Sequence, residues 1–455
     1  MEFSEARSLG ATWALDVLWN RLGIGETMRR LLADCSLDDS TERVLFALVA
    51  NRILAPSARQ AAARWVSEDV IISGLPATTD DACSQALDWL PEAKEALENE
   101  VFERVTYTPN QEVDLLVFET ATTYFETDRP QIAVVAVTRH GIPVLAWNWP
   151  GGTADSALIR QVRSDLGDRA PAQTVWVANR GFTTADSRRE LSADDRSRYI
   201  IAEKLRSGSA EAAAALSRQG RYQEVAANLR IKELRISQDD RFVICHDAEA
   251  AERDAAIRAR MLAHLGELIR DIDTLSTDMR ADKLRGFTVA RHGRHRFLRV
   301  TASGQFRIDT NAVKAEENLD GKYLLRASDP ALSAEDIALR YQRLLDIERG
   351  WRSMQQVIDA RPVYQHTERS VRAHVLLCWL ALLLARVAEN ACHDTWPKLR
   401  QELGHIAVGT FTSPAGTFRQ RTEMTPAQLN ILTKLAIDPP PRICQLTPPP
   451  VPAKP

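Results

Sequence analysis

The chain has 455 residues, 26% of them charged and 45% hydrophobic, with a formal net charge of −3. That length allows two or three domains with sizeable cores, and the composition is that of an ordinary globular protein. The near-neutral balance excludes a protein that coats nucleic acid by bulk charge, so any nucleic-acid surface must be a local patch.

Six cysteines, Cys35, Cys83, Cys245, Cys378, Cys392 and Cys444, form no close pair. This excludes the common zinc spacings and argues against a disulfide framework. The N-terminus MEFSEARSLG lacks a basic segment followed by an apolar one, so no signal peptide is expected. A cytoplasmic location with reduced thiols is the reading. The most apolar stretch, Val375 to Ala385, is too short to span a bilayer and reads as a buried helix.

Residues up to about Thr106 read as helical. In DSTERVLFALVANRILAPSARQAAARWV, one helix starts at Asp39 or Ser40 and ends near Leu54, and Pro56 breaks it. Ser57 with Gln60 then fits a capping box for a second helix. Two short helices across a tight turn suit a helix-turn-helix with Arg59, Gln60 and Arg64 near the start of the second. A plain corner of a helical bundle fits the same pattern.

From Asp114 the pattern changes to strands: DLLVFE, IAVVAVT and PVLAWNW, with a hairpin turn at Arg139–Gly141 between the second and third. A helix over Ser156 to Leu166 follows, then a strand ending at Asn179, a helix through ADSRRELS and the strand SRYIIAEKL. Three sequential strands followed by alternating strand and helix indicate a mixed sheet flanked by helices. From Arg206 to Asp329 an Ala-rich helix, strands in YQEVAANLRIKELRI and RFVICHD, and a charged helix from Glu249 to about Asp273 are expected. Further strands in FTVARHGRHRFLRVT and QFRIDTNA complete what reads as an inserted subdomain.

The next helix starts with a capping box at Ser333 and Asp336, and carries Ile337, Tyr341, Leu344, Leu345, Trp351 and Met354 at helical spacing. After Pro362 the apolar helix passes through Trp379. The last helix opens with Thr425 as N-cap and Pro426 in the first turn. The tail PPPRICQLTPPPVPAKP is proline-dense and expected to be extended or disordered.

Glu119 stands where an apolar strand runs into a polar turn. Tyr341, Leu344, Glu348 and Gln355 fall on one helix face, so Glu348 is an acid on an otherwise apolar and aromatic stripe. It reads either as a surface acid beside Arg349 and Arg352, or as a metal ligand delivered by a helix to the strand ends at Glu119 and Asn179.

The stretch YQRLLDIERGWRSMQQVIDARPVYQHTERSVRAHVLLCWLALLLARVAEN resembles the C-terminal signature of bacterial insertion-sequence transposases of the DDE type. FETATTYFE, WPGGTADSALI, VWVANRGFTT and RTEMTPAQ occur in the order such proteins use, so the resemblance covers nearly the whole chain. It implies an α/β mixed fold with a ribonuclease H-like core and a β-rich insertion. The implied layout is a helical N-terminal DNA-binding domain over 1–107 and the first part of the core over 108–205. An α/β insertion over 206–329, the helical remainder of the core over 330–437 and a Pro-rich disordered tail over 438–455 complete it.

In that family two aspartates and a glutamate hold two divalent ions, magnesium or manganese, which serve cut-and-paste strand cleavage and transfer. The implied partner is double-stranded DNA, at element ends and targets, bound by a homodimer, with no role for a membrane. The matching positions here are Glu119, Asn179 and Glu348. Two depart from the pattern. Glutamate for aspartate at 119 moves the carboxylate by on the order of 1 Å, a misplacement that can cost about a hundredfold in rate. Asn179 loses the charge altogether. Gln355 stands where the family often has a phosphate-contacting lysine, while Tyr341 is retained. Asp114, Asp186, Glu126 and Asp128 are poor substitutes on spacing. The resemblance thus implies an impaired transposase, or a non-catalytic DNA-binding descendant.

The segment KLRGFTVARHGRHRFLRV gathers Lys283, Arg285, Arg291, Arg294, Arg296 and Arg299 without an acid. On a strand pair it would form a stripe for a phosphate backbone, or a solvated edge that deters sheet association. Arg349, Arg352 and Arg369 are further candidates for phosphates.

Overall fold

In the computed structural model the described residues are 2–38, 40–57, 59–106, 115–118, 131–138, 140–150, 153–167, 174–179, 182–193, 197–206, 209–236, 241–274, 295–301, 305–355, 368–413 and 416–447. They divide into two compact units, Met1–Ser197 with Gln342–Pro455, and Arg198–Tyr341.

The N-terminal part of the first unit runs β1 (Glu2–Ser8), α1 (Gly10–Arg21), α2 (Ile24–Leu32), α3 (Thr41–Leu54), α4 (Arg59–Glu68), α5 (Asp80–Trp89) and α6 (Lys94–Thr106). It continues with β2 (Leu115–Phe118), β3 (Gln131–Val137), β4 (Pro143–Pro150), α7 (Asp155–Leu166), β5 (Thr174–Ala178) and α8 (Ala185–Leu191). The second unit holds β6 (Ser197–Glu203), α9 (Ala210–Ser217), β7 (Gln223–Ala226), β8 (Leu229–Arg235), β9 (Arg241–Asp247) and α10 (Ala248–Asp273). After these come β10 (Leu298–Val300), β11 (Phe306–Ile308), α11 (Thr310–Glu317) and β12 (Lys322–Ala327). Helix α12 (Ala334–Gln355) leads back to the first unit. That unit ends with α13 (Glu368–Cys392), α14 (Trp396–Gly404), β13 (Ala407–Ser413), β14 (Gly416–Arg421), α15 (Pro426–Lys434) and β15 (Ile443–Thr447).

In the first unit β4, β3, β2 and β5 lie side by side in that order. The β4–β3 and β3–β2 pairs are antiparallel and β2–β5 is parallel, which makes the sheet mixed. The hairpin turn falls where expected: Gly141 adopts a φ of 74°, and its N–H donates to Thr138 O at 2.8 Å. Only glycine takes that conformation without a steric cost.

Helix α13 is the core of this unit, buried on almost every side by α3, α5 and β4. It is long and apolar enough to cross a membrane, yet 83% of its most apolar window is buried inside the protein, as expected of a core helix. Trp379 fills the interior and donates its indole N–H to Pro143 O on β4 at 3.1 Å. Helix α6 closes the free edge of β4, where buried Glu98 accepts the N–H of Ala146 at 3.0 Å and pairs with Lys94 at 2.6 Å. Buried Glu42 on α3 is satisfied by Trp19 Nε1 at 2.7 Å and by Arg29 and Arg43. A buried carboxylate is tolerated only with such partners.

Three expectations change here. The N-terminal region is not wholly helical, because β1 pairs antiparallel with β13 some 400 residues later. The C-terminal part is not wholly helical either, since β13 and β14 pair antiparallel. In the tail, Ile443–Thr447 is not disordered but pairs with β14. These four strands place Phe3, Phe411, Phe418 and Leu446 in one register row, with Phe3 56% and Leu446 72% exposed. The row is held by ring contacts, Phe3 to Phe411 at 5.6 Å and Phe411 to Phe418 at 5.2 Å.

The second unit is built on an antiparallel sheet in the order β6, β12, β9, β8, β7. Strand β12, not foreseen in the sequence, lies between β6 and β9. Helix α9 covers one end of one face through Ala212 and Ala215, which pack on Phe242, Ile244 and Leu324. Arg326 and Glu203, 4% and 2% exposed, pair at 3.4 Å inside the unit. The short hairpin β10–β11 pairs Leu298 with Ile308.

Candidate functional site

Strand β2 ends at Phe118 and β5 at Ala178, and these two residues are register partners on adjacent parallel strands. Parallel neighbours lie about 4.8 Å apart, so the chain leaves both strands at one edge and one level. The next residues are Glu119 and Asn179. Glu119 lies outside the described residues. Asn179 is half-buried, and its carbonyl accepts the N–H of Phe182 at 3.1 Å, which folds the chain back over the strand end. The wholly buried Phe182 ring anchors that turn.

Strand β4 runs antiparallel to β3, and β3 antiparallel to β2, so β4 also ends at the edge where β2 and β5 end. Helix α7 then lies back across the sheet. Trp147 on β4 donates Nε1–H to Asp165 at 2.9 Å, and the Arg163 guanidinium sits 5.6 Å from the Trp176 ring on β5. The first residue of α7 is Asp155, half-buried, with its carboxyl pushed above the usual range by burial. It forms no ion pair among the described residues. Sequence reasoning passed over this acid; the signal was its position as the first acid after the β4 apolar run, at the start of an amphipathic helix. Asp186 sits in the first turn of α8, exposed and paired with Arg189 at 2.9 Å. Asp114, Glu126 and Asp128 lie outside the described residues.

Helix α12 begins as its sequence indicates. Asp336 N–H donates to Ser333 Oγ at 2.9 Å, and Ser333 Oγ donates to the Asp336 carboxylate at 2.7 Å. Ile337, Tyr341 and Leu344 are buried, so the apolar stripe is real. Glu348 stands seven residues beyond Tyr341 in the same helix; its side chain, with those of Arg349, Arg352 and Gln355, lies outside the described part. Among the described residues, what lies side by side is the pair of strand ends, Phe118 and Ala178, that precede two of the three expected metal positions.

The donor chemistry at these positions does not fit two divalent ions. Glu119 and Glu348 supply two negative charges against four positive ones, and the Asn179 amide offers one neutral oxygen.

The expected DNA contacts divide. Arg64 on α4 is exposed, whereas the side chains of Arg59 and Gln60 lie outside the described part. Ser57 precedes α4 by two residues and donates Oγ–H to Asn51 Oδ1 at 3.0 Å. Tyr341 is 3% exposed, its ring 5.4 Å from that of Tyr323, and so serves the core of the second unit. Arg296 donates to Glu316 at 2.8 Å and lies 4.7 Å over the Phe297 ring. Burial alone would raise the Glu316 carboxyl, but Arg206 and Arg296 hold it below the usual range. Arg291 and Arg294 lie outside the described residues. Arg369 is tied to Asp88 O and Glu92, both at 2.7 Å. No protein-family model matches the chain, and no curated protein matches it.

Proposed function

We propose that the chain is a DDE-type insertion-sequence transposase whose metal site is weakened, acting on double-stranded DNA as a homodimer. The observation that carries this reading is the parallel register Phe118–Ala178, with β3 and β4 antiparallel beyond β2. A ribonuclease H-like core needs its first and fourth strands to deliver ligands at one edge, and Glu119 and Asn179 follow that register pair directly. The neutral amide at 179 supports a second reading, a DNA-binding protein derived from a transposase that no longer cleaves.

Titration of Mn²⁺ into the protein, followed by the loss of free-ion electron paramagnetic resonance signal, tests the site. Asn179→Asp tightens Mn²⁺ binding over the parent at least tenfold, and adding Glu348→Ala reverses the gain. An Asn179→Asp variant with unchanged affinity would remove position 179 from any metal site.

A further inference from the structure

The face of the second unit's sheet that carries Ile244 and Leu324 is covered by α9, where Ala212 and Ala215 pack on it and Arg326 and Glu203 pair, and it turns cationic beyond that helix. There the register places Arg230 on β8 opposite His246 on β9, and His246 opposite Lys322 on β12. Directly opposed residues share a face, so these three form one row across three strands, about 10 Å from end to end. Lys232, two residues from Arg230, points to the same side. Its ammonium lies 5.5 Å from the Tyr222 ring centre, and that ring meets the His246 ring at 6.3 Å. Tyr222 is 37% exposed.

Neither Arg230, Lys232 nor Lys322 forms an ion pair with a carboxylate among the described residues. Lys232 and Lys322 donate only to the main-chain oxygens of Arg218 and Asn318, at 2.7 and 2.6 Å. His246 Nδ1 is buried with no hydrogen-bond partner. Burial first, then Arg230 and Lys322, hold His246 below the ordinary histidine range. The acids nearby are Glu224, opposite Arg230 on β7, and Asp247, whose carboxylate caps Ala250 N–H at 2.8 Å. The result is a strip of crowded cations beside a partly open aromatic ring.

We propose that this strip binds single-stranded nucleic acid, with Arg230, His246 and Lys322 along the phosphodiester backbone and Tyr222 stacked on a base. Cations along a groove with an aromatic platform are what an unpaired strand requires, and a duplex hides the base faces that Tyr222 would meet. An anion on the row favours protonated His246, so binding tightens as pH falls. The inference rests on the second unit alone and shares no residue with the metal positions, so either can fail without the other.

The test is fluorescence anisotropy of labelled oligo(dT) 20-mer on the full chain, beside a 20-base-pair duplex and tripolyphosphate as competitors. Arg230→Ala with Lys322→Ala weakens oligo(dT) binding more than tenfold and flattens its salt dependence by about 0.7 per lost contact. Tyr222→Ala weakens oligo(dT) about tenfold while leaving duplex binding within twofold. His246→Gln removes the gain in affinity between pH 7.5 and 5.5. Circular dichroism of each variant must match the parent; where the double variant fails to fold, the exposed Tyr222→Ala decides. Absent binding of oligo(dT) by the parent, equal loss of single strand and duplex in Tyr222→Ala, or complete competition by tripolyphosphate at micromolar concentration would each overturn the assignment.

Discussion

His374 sits inside α13, 3% exposed, with Cys378 Sγ 3.4 Å from its Nε2. Burial, and then the nearby Arg52 charge, lower its pKa to about 3. In the unfolded chain the same group titrates near its ordinary value of about 6.5. The folded value lies below the unfolded one, so stability is complete above about pH 6.5 and declines as pH falls, because only the unfolded state takes up the proton. Between pH 7 and pH 5 the loss is about 2 kcal/mol, short of the roughly 2.7 kcal/mol of a full proton over two pH units because the unfolded histidine is only partly protonated at the upper end of the interval. Replacing His374 by Gln removes this component whatever it does to the absolute stability. The assay is urea unfolding of parent and His374→Gln at pH 7, 6 and 5, read as the difference between the two curves. The parent should lose about 2 kcal/mol more than the variant over those two pH units. Parallel pH curves would refute the reasoning and imply that His374 is protonated, or open to solvent, in the fold.

Arg326→Leu removes the guanidinium paired with buried Glu203 in the second unit and should cost about 3–5 kcal/mol in urea unfolding; a loss below about 1 kcal/mol would show that this pair contributes little to the fold. The hairpin stripe is tested by salt titration of duplex binding. Arg291→Ala with Arg294→Ala should flatten the log–log slope by about 0.9 per lost phosphate contact. Arg296→Ala should flatten that slope less, because its guanidinium is tied to Glu316.

Much of the fold could be read locally. The Ser333–Asp336 box, the Thr425 cap with its reciprocal Gln428 bonds, and the Thr138–Ile142 turn are set by residues within four positions of each other. The apolar runs of β2 to β5 and the continuous apolar run of α13 mark these elements as buried. What escaped depends on distant partners. Nothing in EFSEARS marks a strand until Ala407–Ser413 is beside it, and KYLLRA becomes a central strand only between β6 and β9. Side-chain fate was equally non-local: the family resemblance put Tyr341 among the DNA contacts, but in the fold it is buried against Tyr323. Arg296 was read as a free cation, but Glu316 arrives from α11 to pair with it. Asp155 was passed over because the edge at which β4 ends follows from strand directions, not from spacing.

The central claim is that positions 119 and 179 are metal positions of a transposase-type site, with Asn179 as its chief defect. Strand cleavage of a supercoiled plasmid carrying the DNA that flanks the gene tests it most directly, in Mg²⁺ and in Mn²⁺. The parent should nick at the background rate, Asn179→Asp should raise the rate, and Asn179→Asp with Glu119→Asp should raise it further. Robust cleavage by the parent that Asn179→Ala abolishes would contradict the account, because the amide would then suffice as a ligand.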